Sequence, residues 1–294
     1  MSSKDNTFRI KGGRIGVLLI HGLAGTPLEM RYVANGLGRA GYTVLCPQLA
    51  GHCGSDADLS ASTWQDWYDS CERALDDLRE TCDFVMTGGL STGALLALML
   101  AAKRPDAVQA TALLAPTLWI NGWSVPWYAR LFRLVRHKWF ANLIQFPEVY
   151  PNGIKDPRTR DVLLQGLSSA DNSQAGHFNT PGSAVIEHRW LVDALKPLIG
   201  AIAQPTMILH PREDDLSDIS NAWYLQRHLK GRVDMSVLED SYHHVALDRQ
   251  RHIVVRRTVD FVRSVTEEMA EIDARAELRA KARAALHRQL AVAA

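Results

Sequence analysis

Short apolar runs alternate along this chain with stretches whose apolar residues recur at helical spacing, and that alternation restricts the fold more than any other feature. Ile15 to Ile20 is a continuous apolar run ending in His21-Gly22, the pattern of a strand covered on both faces. Tyr42 to Cys46 reads the same way. Between them, Pro27 to Ala40 carries Met30, Val33 and Leu37 at helical spacing and stops near Gly41, a residue that commonly ends helices. The pattern repeats with a helix capped by Ser62 or Thr63 and running to about Glu80, a strand at Phe84 to Met86, a helix from Ser91 to Lys103 and a strand at Val108 to Leu114. It resumes with strands at Thr206 to His210 and Val233 to Leu238 and helices around Ala222 to Leu229 and from about Arg251 to Val265. Such alternation predicts an α/β fold, with a mostly parallel central sheet joined by right-handed crossovers and flanked by helices.

Residues 116–204 break the alternation. They contain Trp119, Trp123, Trp127, Trp139 and Trp190 with Phe132, Phe140 and Phe146, and they read as a mostly helical cap inserted after the strand at Val108 to Leu114. Any one aromatic there can be core packing. A cluster of them over a site also suits an apolar substrate pocket, which makes Trp119, Trp123, Trp127 and Trp139 substrate-binding candidates. Asp156 to Thr180 is more polar, as a mobile lid edge would be. Residues 266–294 turn to Ala, Glu and Arg, with Met269, Ile272, Ala276 and Leu286 loosely at helical spacing. They read as a packing or solvated helix, with a homo-oligomer contact as the alternative. The chain thus divides into a core at 1–115, a cap at 116–204, a second part of the core at 205–265 and a terminal charged helix at 266–294.

Lys and Arg number 33 against 32 Asp and Glu, so no net field draws nucleic acid or an anionic membrane. Cys46, Cys53, Cys71 and Cys82 form no C-x-x-C pair and lie near no zinc-type histidine pattern, which points to reduced structural thiols. The run Ile15 to Ile20 is too short to span a bilayer and lacks a signal-cleavage pattern after it. A soluble cytoplasmic protein is expected.

The chemistry centres on Gly89-Leu90-Ser91-Thr92-Gly93, a G-x-S-x-G pentapeptide between an apolar run and an apolar helical stretch. That is the setting of a nucleophile elbow, in which a tight strand-to-helix turn holds a serine hydroxyl out at the sheet edge. The helix start also offers unpaired N–H groups to an oxyanion. A serine hydroxyl needs a base, and the base needs an acid to hold its tautomer. Acidic residues follow the strand at Thr206 to His210 in His210-Pro211-Arg212-Glu213-Asp214-Asp215, where open α/β sheets put their functional loops. Histidines follow the next strand in Ser241-Tyr242-His243-His244. By spacing alone, Asp214 or Asp215 serves as the acid and His243 or His244 as the base.

Together with Leu18-Leu19-Ile20-His21-Gly22-Leu23-Ala24-Gly25-Thr26 and Gly51-His52-Cys53-Gly54-Ser55, these motifs make the chain resemble the α/β-hydrolases of the bacterial carboxylesterase and monoacylglycerol lipase type. The resemblance spans roughly Ile15 to Val265. Members carry the acid in an R-x-D turn and the base in an S-x-H turn, which implies Asp214 and His243. It also implies an oxyanion hole from the main-chain amides of Leu23 and Thr92. The chain departs from the commoner pattern at Cys53 and Ala94, where glycines are frequent. Cys53 is a candidate pocket residue or a buried inert thiol, His52 and His21 are read as loop organisers, and Ser55 as a loop cap.

What the resemblance implies is hydrolysis of small carboxylic esters with an apolar or aromatic acyl group, through an acyl-enzyme on Ser91, without metal or organic cofactor. Related scaffolds that open epoxides or carbon–halogen bonds use a carboxylate nucleophile, which Ser91 argues against. The same triad also suits thioesters or small amides, and a binding protein on this fold would leave Ser91 an unreactive turn residue.

Overall fold

The computed structural model describes residues 5–147, 150–168, 176 and 179–293. In chain order, β1 (Phe8–Ile10) and β2 (Ile15–Ile20) precede a 3-10 turn, Pro27–Met30, that runs into α1 (Arg31–Arg39). Next come β3 (Thr43–Cys46), α2 (Asp56–Ala61), α3 (Trp64–Arg79), β4 (Phe84–Leu90), α4 (Thr92–Lys103) and β5 (Ala110–Leu114). The stretch that follows holds a 3-10 segment at Trp127–Leu134, α5 (Lys138–Ala141), β6 (Gln145–Pro147), α6 (Pro157–Ser168), β7 (Asn179–Pro181) and α7 (Gly182–Leu195). Then β8 (Thr206–Pro211), α8 (Ser220–His228), β9 (Val233–Leu238) and α9 (Arg251–Ala293) complete the chain.

Seven strands form one sheet in the order β1-β3-β2-β4-β5-β8-β9. β1 lies antiparallel to β3 at the edge, and every other pair is parallel. Successive residues of a strand face opposite sides, so β2 sends Leu18 and Ile20 into one apolar cluster and Val17 and Leu19 into another. The first cluster is built with α3, α4, α7 and α8, the second with α1 and α9. Helix α4 is apolar all round and buried from Thr92 to Ala101, because the sheet covers one side and α3 and α7 pack over the rest.

The local signals explain most boundaries. Thr63 caps α3 in a capping box with Asp66, and Ser55 does the same for α2 with Asp58. Ser62, the other cap candidate, instead accepts a hydrogen bond from the Trp67 indole at 2.9 Å. β4 runs past the expected Met86 to Leu90, since Gly88 and Gly89 continue the strand where a turn reading would stop it. A Cβ on Gly88 would stand 2.7 Å from the Ala112 carbonyl oxygen, so glycine here marks a close backbone approach. β1 was not expected, being only three residues long. Nor is there a break at residue 266: no glycine or proline interrupts Arg251–Ala293, and one helix continues through it.

β5 and β8 are sheet neighbours, with Thr111 opposite Thr206 and Leu114 opposite Leu209, so the chain between them leaves and rejoins the sheet at adjacent strands. Within this stretch β6 and β7 pair antiparallel, an element that the reading as mostly helical did not contain. Of the stretch 156–180 read as a lid edge, residues 169–175 and 177–178 lie outside the described residues, as do the side chains of Ala276 and Leu286 in α9. Among the described residues no helix is long and apolar enough to cross a membrane.

Candidate active site

Ser91 joins β4 to α4 with φ 56° and ψ −115°, a conformation that costs a non-glycine residue about 1–3 kcal/mol. Its neighbours show why the strain is held. A Cβ on Gly93 would lie 2.3 Å from the Ile20 carbonyl oxygen, and one on Gly89 would lie 2.6 Å from the same atom. The end of β2 therefore presses against the turn, and only glycine fits on either side. The Ser91 amide donates to the Leu114 carbonyl at 2.9 Å, pinning the turn to β5, and its hydroxyl donates to the Thr117 hydroxyl at 3.1 Å.

The loop after β8 places Asp214 fully inside, where its Oδ1 accepts the amides of Leu216 and Ser217 at 2.9 and 2.7 Å. The loop after β9 brings in His243, whose Nδ1 lies 3.0 and 2.9 Å from the two Asp214 oxygens. Burial by itself would raise the Asp214 pKa, but the His243 charge and hydrogen bond, His210 and the Ser217 amide outweigh it and hold the carboxyl below its usual range. Burial likewise opposes the charged form of His243, yet the Asp214 charge and hydrogen bond prevail and raise its pKa. His243 Nε2 is buried and has no hydrogen-bond partner.

Asp215 does something different with the same chemistry. Its Oδ2 accepts the Gly153 amide at 2.9 Å and its Oδ1 the His243 amide at 3.2 Å, so it holds main chain while Asp214 holds the ring. His244 donates its amide to the Gly153 carbonyl at 2.8 Å, and burial lowers the pKa of its ring. Asp248 ties the histidine loop to the segment between β5 and β8, accepting the amides of Tyr242, Lys155 and Asp156 at 2.7, 2.9 and 2.9 Å.

Upstream, the Leu49 amide donates to His21 Nε2 at 3.2 Å, which leaves the ring proton on Nδ1, bonded at 2.9 Å to the Gly22 carbonyl. Burial drops the pKa of this histidine to about 4. The His52 ring stacks edge to face between His21 and Trp67 and bonds the Ala50 carbonyl at 3.1 Å. Glu29 Oε2 accepts the Gly22 amide at 3.2 Å. Leu23 follows this braced turn, and Thr92 is the first residue of α4, where an amide has no acceptor within the helix.

Ser91, Thr92, Leu23, Asp215, His243 and His244 all border one cavity of about 570 Å³, whose walls include Leu118, Val125, Phe132, Phe146, Val185 and Leu216. Of the four tryptophan candidates, Trp119 lines it. Trp123 packs outside against Tyr242 and donates from its indole to the Glu213 carbonyl at 3.1 Å; Trp127 and Trp139 are 75% and 68% exposed, and none of these three borders the cavity. Cys53 is buried away from it, its thiol pushed up to about 11 by burial, and all four cysteines are free. Thr117, Asp215 in its main-chain role, and His188 of α7 were not found by motif reading. Each meets its partners across long stretches of chain, so no local spacing distinguishes it. Among the described residues no three His, Cys, Asp or Glu side chains cluster so as to hold a metal ion.

Residues 14–250 match the Hydrolase_4 family model, described as serine aminopeptidase, S33. The chain is 28% identical over 255 residues to a thermostable monoacylglycerol lipase of Bacillus sp. (strain H-257), covering 86% of this chain and 92% of that protein. It is 23% identical over 259 residues to a carboxylesterase of Bacillus subtilis (strain 168), covering 87% and 95%. A solved structure from work on LipS and LipT, two metagenome-derived lipolytic enzymes, superposes with a TM-score of 0.73 at 27% identity, covering 88% of this chain and 97% of the other. Strand order, elbow and matched span agree: the fold is that of the α/β-hydrolases, and the chain belongs to the Hydrolase_4 family.

Proposed function

We propose that the protein hydrolyses carboxylic esters with Ser91 as nucleophile, His243 as base and Asp214 as the acid that orients it. The observation that carries this is the buried Asp214–His243 pair, 2.9 Å apart, whose histidine borders the same cavity as a serine held at φ 56°. Ser91 Oγ attacks the acyl carbonyl while its proton passes to His243 Nε2, and the amides of Leu23 and Thr92 receive the oxyanion. His243 then protonates the departing alcohol, leaving the acyl group on Ser91. Water, losing its proton to His243, releases the acid and restores the serine. Asp214 stays ionised throughout, in keeping with its lowered pKa. The relatives' names, a monoacylglycerol lipase and a carboxylesterase, support an ester over other acyl compounds. The apolar walls suit an aliphatic or aromatic acyl group.

The family description raises a second reading, release of an amino-terminal residue from a peptide, and two carboxylates, Glu29 and Asp215, do border the cavity. Both already accept main-chain amides, which favours the ester reading. A fluorophosphonate probe should label Ser91 and fail to label Ser91→Ala, and p-nitrophenyl esters should turn over far faster than acyl thioesters or aminoacyl p-nitroanilides. Absence of an adduct on folded wild-type protein would overturn the mechanism; faster anilide cleavage would replace the ester with an amide.

A further inference from the structure

The nucleophile and its base do not bond to each other in the structure. His243 Nε2 is buried with no hydrogen-bond partner, while the Ser91 hydroxyl donates to Thr117 Oγ1 at 3.1 Å. Thr117 is itself firmly placed. It is buried, and the chain reaches it from β5 through Ala115, which holds a φ of 43° that L side chains rarely adopt and donates its amide to the Leu209 carbonyl at 2.8 Å. On the other side the Leu118 amide donates to Asn221 Oδ1 of α8 at 2.8 Å. The Thr117 hydroxyl also lies 3.1 Å from the Ala115 carbonyl oxygen and 3.1 Å from the Ser217 hydroxyl, which stands 3.5 Å from Asp214 Oδ2. Its single proton goes to one of the first two, so toward Ser91 its oxygen accepts. A buried acceptor on strained main chain, anchored on both sides, is thus aimed at the nucleophile. It competes with His243 for the same proton.

We infer that Thr117 is a positioning residue that withholds Ser91 from His243, so that attack begins only once the serine hydroxyl turns from Thr117 Oγ1 to His243 Nε2. This rests on the ester-hydrolase reading above and adds a control on its first step. The main chain of Ser91 is held by Leu114 and by the end of β2, so the exchange needs only rotation of the side chain. A hydrogen bond of ordinary net strength keeps the engaged form to a fraction of the molecules, and the rate of attack is reduced by that fraction. The control is confined to attack. Once the acyl group sits on Ser91 Oγ, the serine proton has left with the alcohol through His243, and the water that releases the acid gives its proton to His243 without Thr117 taking part.

Fluorophosphonate labelling of Ser91 reads attack alone, and the steady phase after the burst with p-nitrophenyl hexanoate reads deacylation. Thr117→Val, which keeps the shape and removes the acceptor, should speed labelling by about threefold to tenfold and leave deacylation within about twofold of wild type. Thr117→Ala should act in the same direction, and Thr117→Ser, which keeps the hydroxyl, should label at the wild-type rate. A merely structural role would slow both steps together. Labelling of Thr117→Val and Thr117→Ala no faster than wild type, or of Thr117→Ser as fast as Thr117→Val, overturns the role of Thr117 and leaves the triad standing. Failure of the probe to label folded wild-type protein overturns the ester mechanism, and this inference with it.

Discussion

Where β4 meets α4, and where the chain crosses from β5 to β8, residues of a chosen type obey different rules. At the first place backbone contact decides everything: Gly89 and Gly93 are there because β2 leaves no room for a Cβ, and Ser91 keeps an unfavourable φ because Leu114 and Thr117 hold it. In the second region aromatic residues are plentiful, yet Trp123, Trp127 and Trp139 face outward while Trp119 faces the cavity. Trp119 and Trp123 are both fastened, but to different partners: Trp123 is held outside by Glu213 and Tyr242. The amides of Leu118 and Trp119 both donate to Asn221 Oδ1, at 2.8 and 2.7 Å, and Tyr224 packs edge to face on the indole. A residue's type therefore predicts its role where close backbone packing admits one residue type, and loses that power where side-chain partners decide which way an aromatic points.

The sharpest way to break this contrast is at the two neighbouring acids, which share the loop after β8 and differ only in what they hold. Asp214→Asn should reduce kcat for an ester by about a thousandfold or more, because the His243 ring loses the partner that sets its tautomer. Asp215→Asn should cost about tenfold, since an amide oxygen still accepts one of the two main-chain N–H groups and the ring contact is untouched. Equal losses in a steady-state assay would show that holding main chain matters as much as holding the ring.

Acid stability tests whether buried histidines in both regions behave alike. His21 in the loop after β2 and His188 in α7 each have a pKa lowered to about 4 by burial, against an ordinary 6.5. Their folded-state pKa lies below the unfolded value, so their neutral forms support the fold fully above pH 6.5, and that support is lost as pH falls toward 4. Each contributes about 3 kcal/mol across that window. His210 and His244 act with the same sign, whereas the raised pKa of His243 gives support already complete below pH 6.5. Urea midpoints should drop markedly between pH 6.5 and 4.5, and the drop should shrink in His21→Gln. A midpoint that does not move would mean these rings protonate freely in the folded protein.

The smallest expected effect falls in the less fastened region itself. Trp119→Ala should lower kcat/KM for apolar esters by about tenfold through lost contact in the cavity, and Trp127→Ala should change it less than about twofold. A larger loss from Trp127→Ala, measured over a series of acyl-chain lengths, would place that side chain against substrate.

Much of this was legible beforehand because it is local. The parallel sheet, the elbow and the loops bearing Asp214 and His243 follow from patterns a few residues long, and β9 has the bounds expected of it, Val233 to Leu238. β1 escaped because three residues carry no period, and β4 was read short because glycines that permit close strand approach look the same as glycines that turn a chain. Thr117 and His188 escaped for another reason. Thr117 is met by Ser91 and Ser217, 26 and 100 residues away, and His188 by Thr92, 96 residues away, so no local spacing could announce them.

The amino-acid sequence by itself determined the layered α/β architecture, the serine at its strained turn and the order in which acid and base follow, since hydrophobic period and glycine placement act over one or two turns of chain. Spacing left Asp214 and Asp215 open and the resemblance pointed to Asp214, which the tertiary structure places in contact with the His243 ring; only that structure decided which tryptophan reaches the cavity, and that a lone histidine of α7 stands beside Ser91 with a nitrogen unpaired. Those outcomes depend on distances between segments far apart in the chain, set by how helices and loops pack on the sheet.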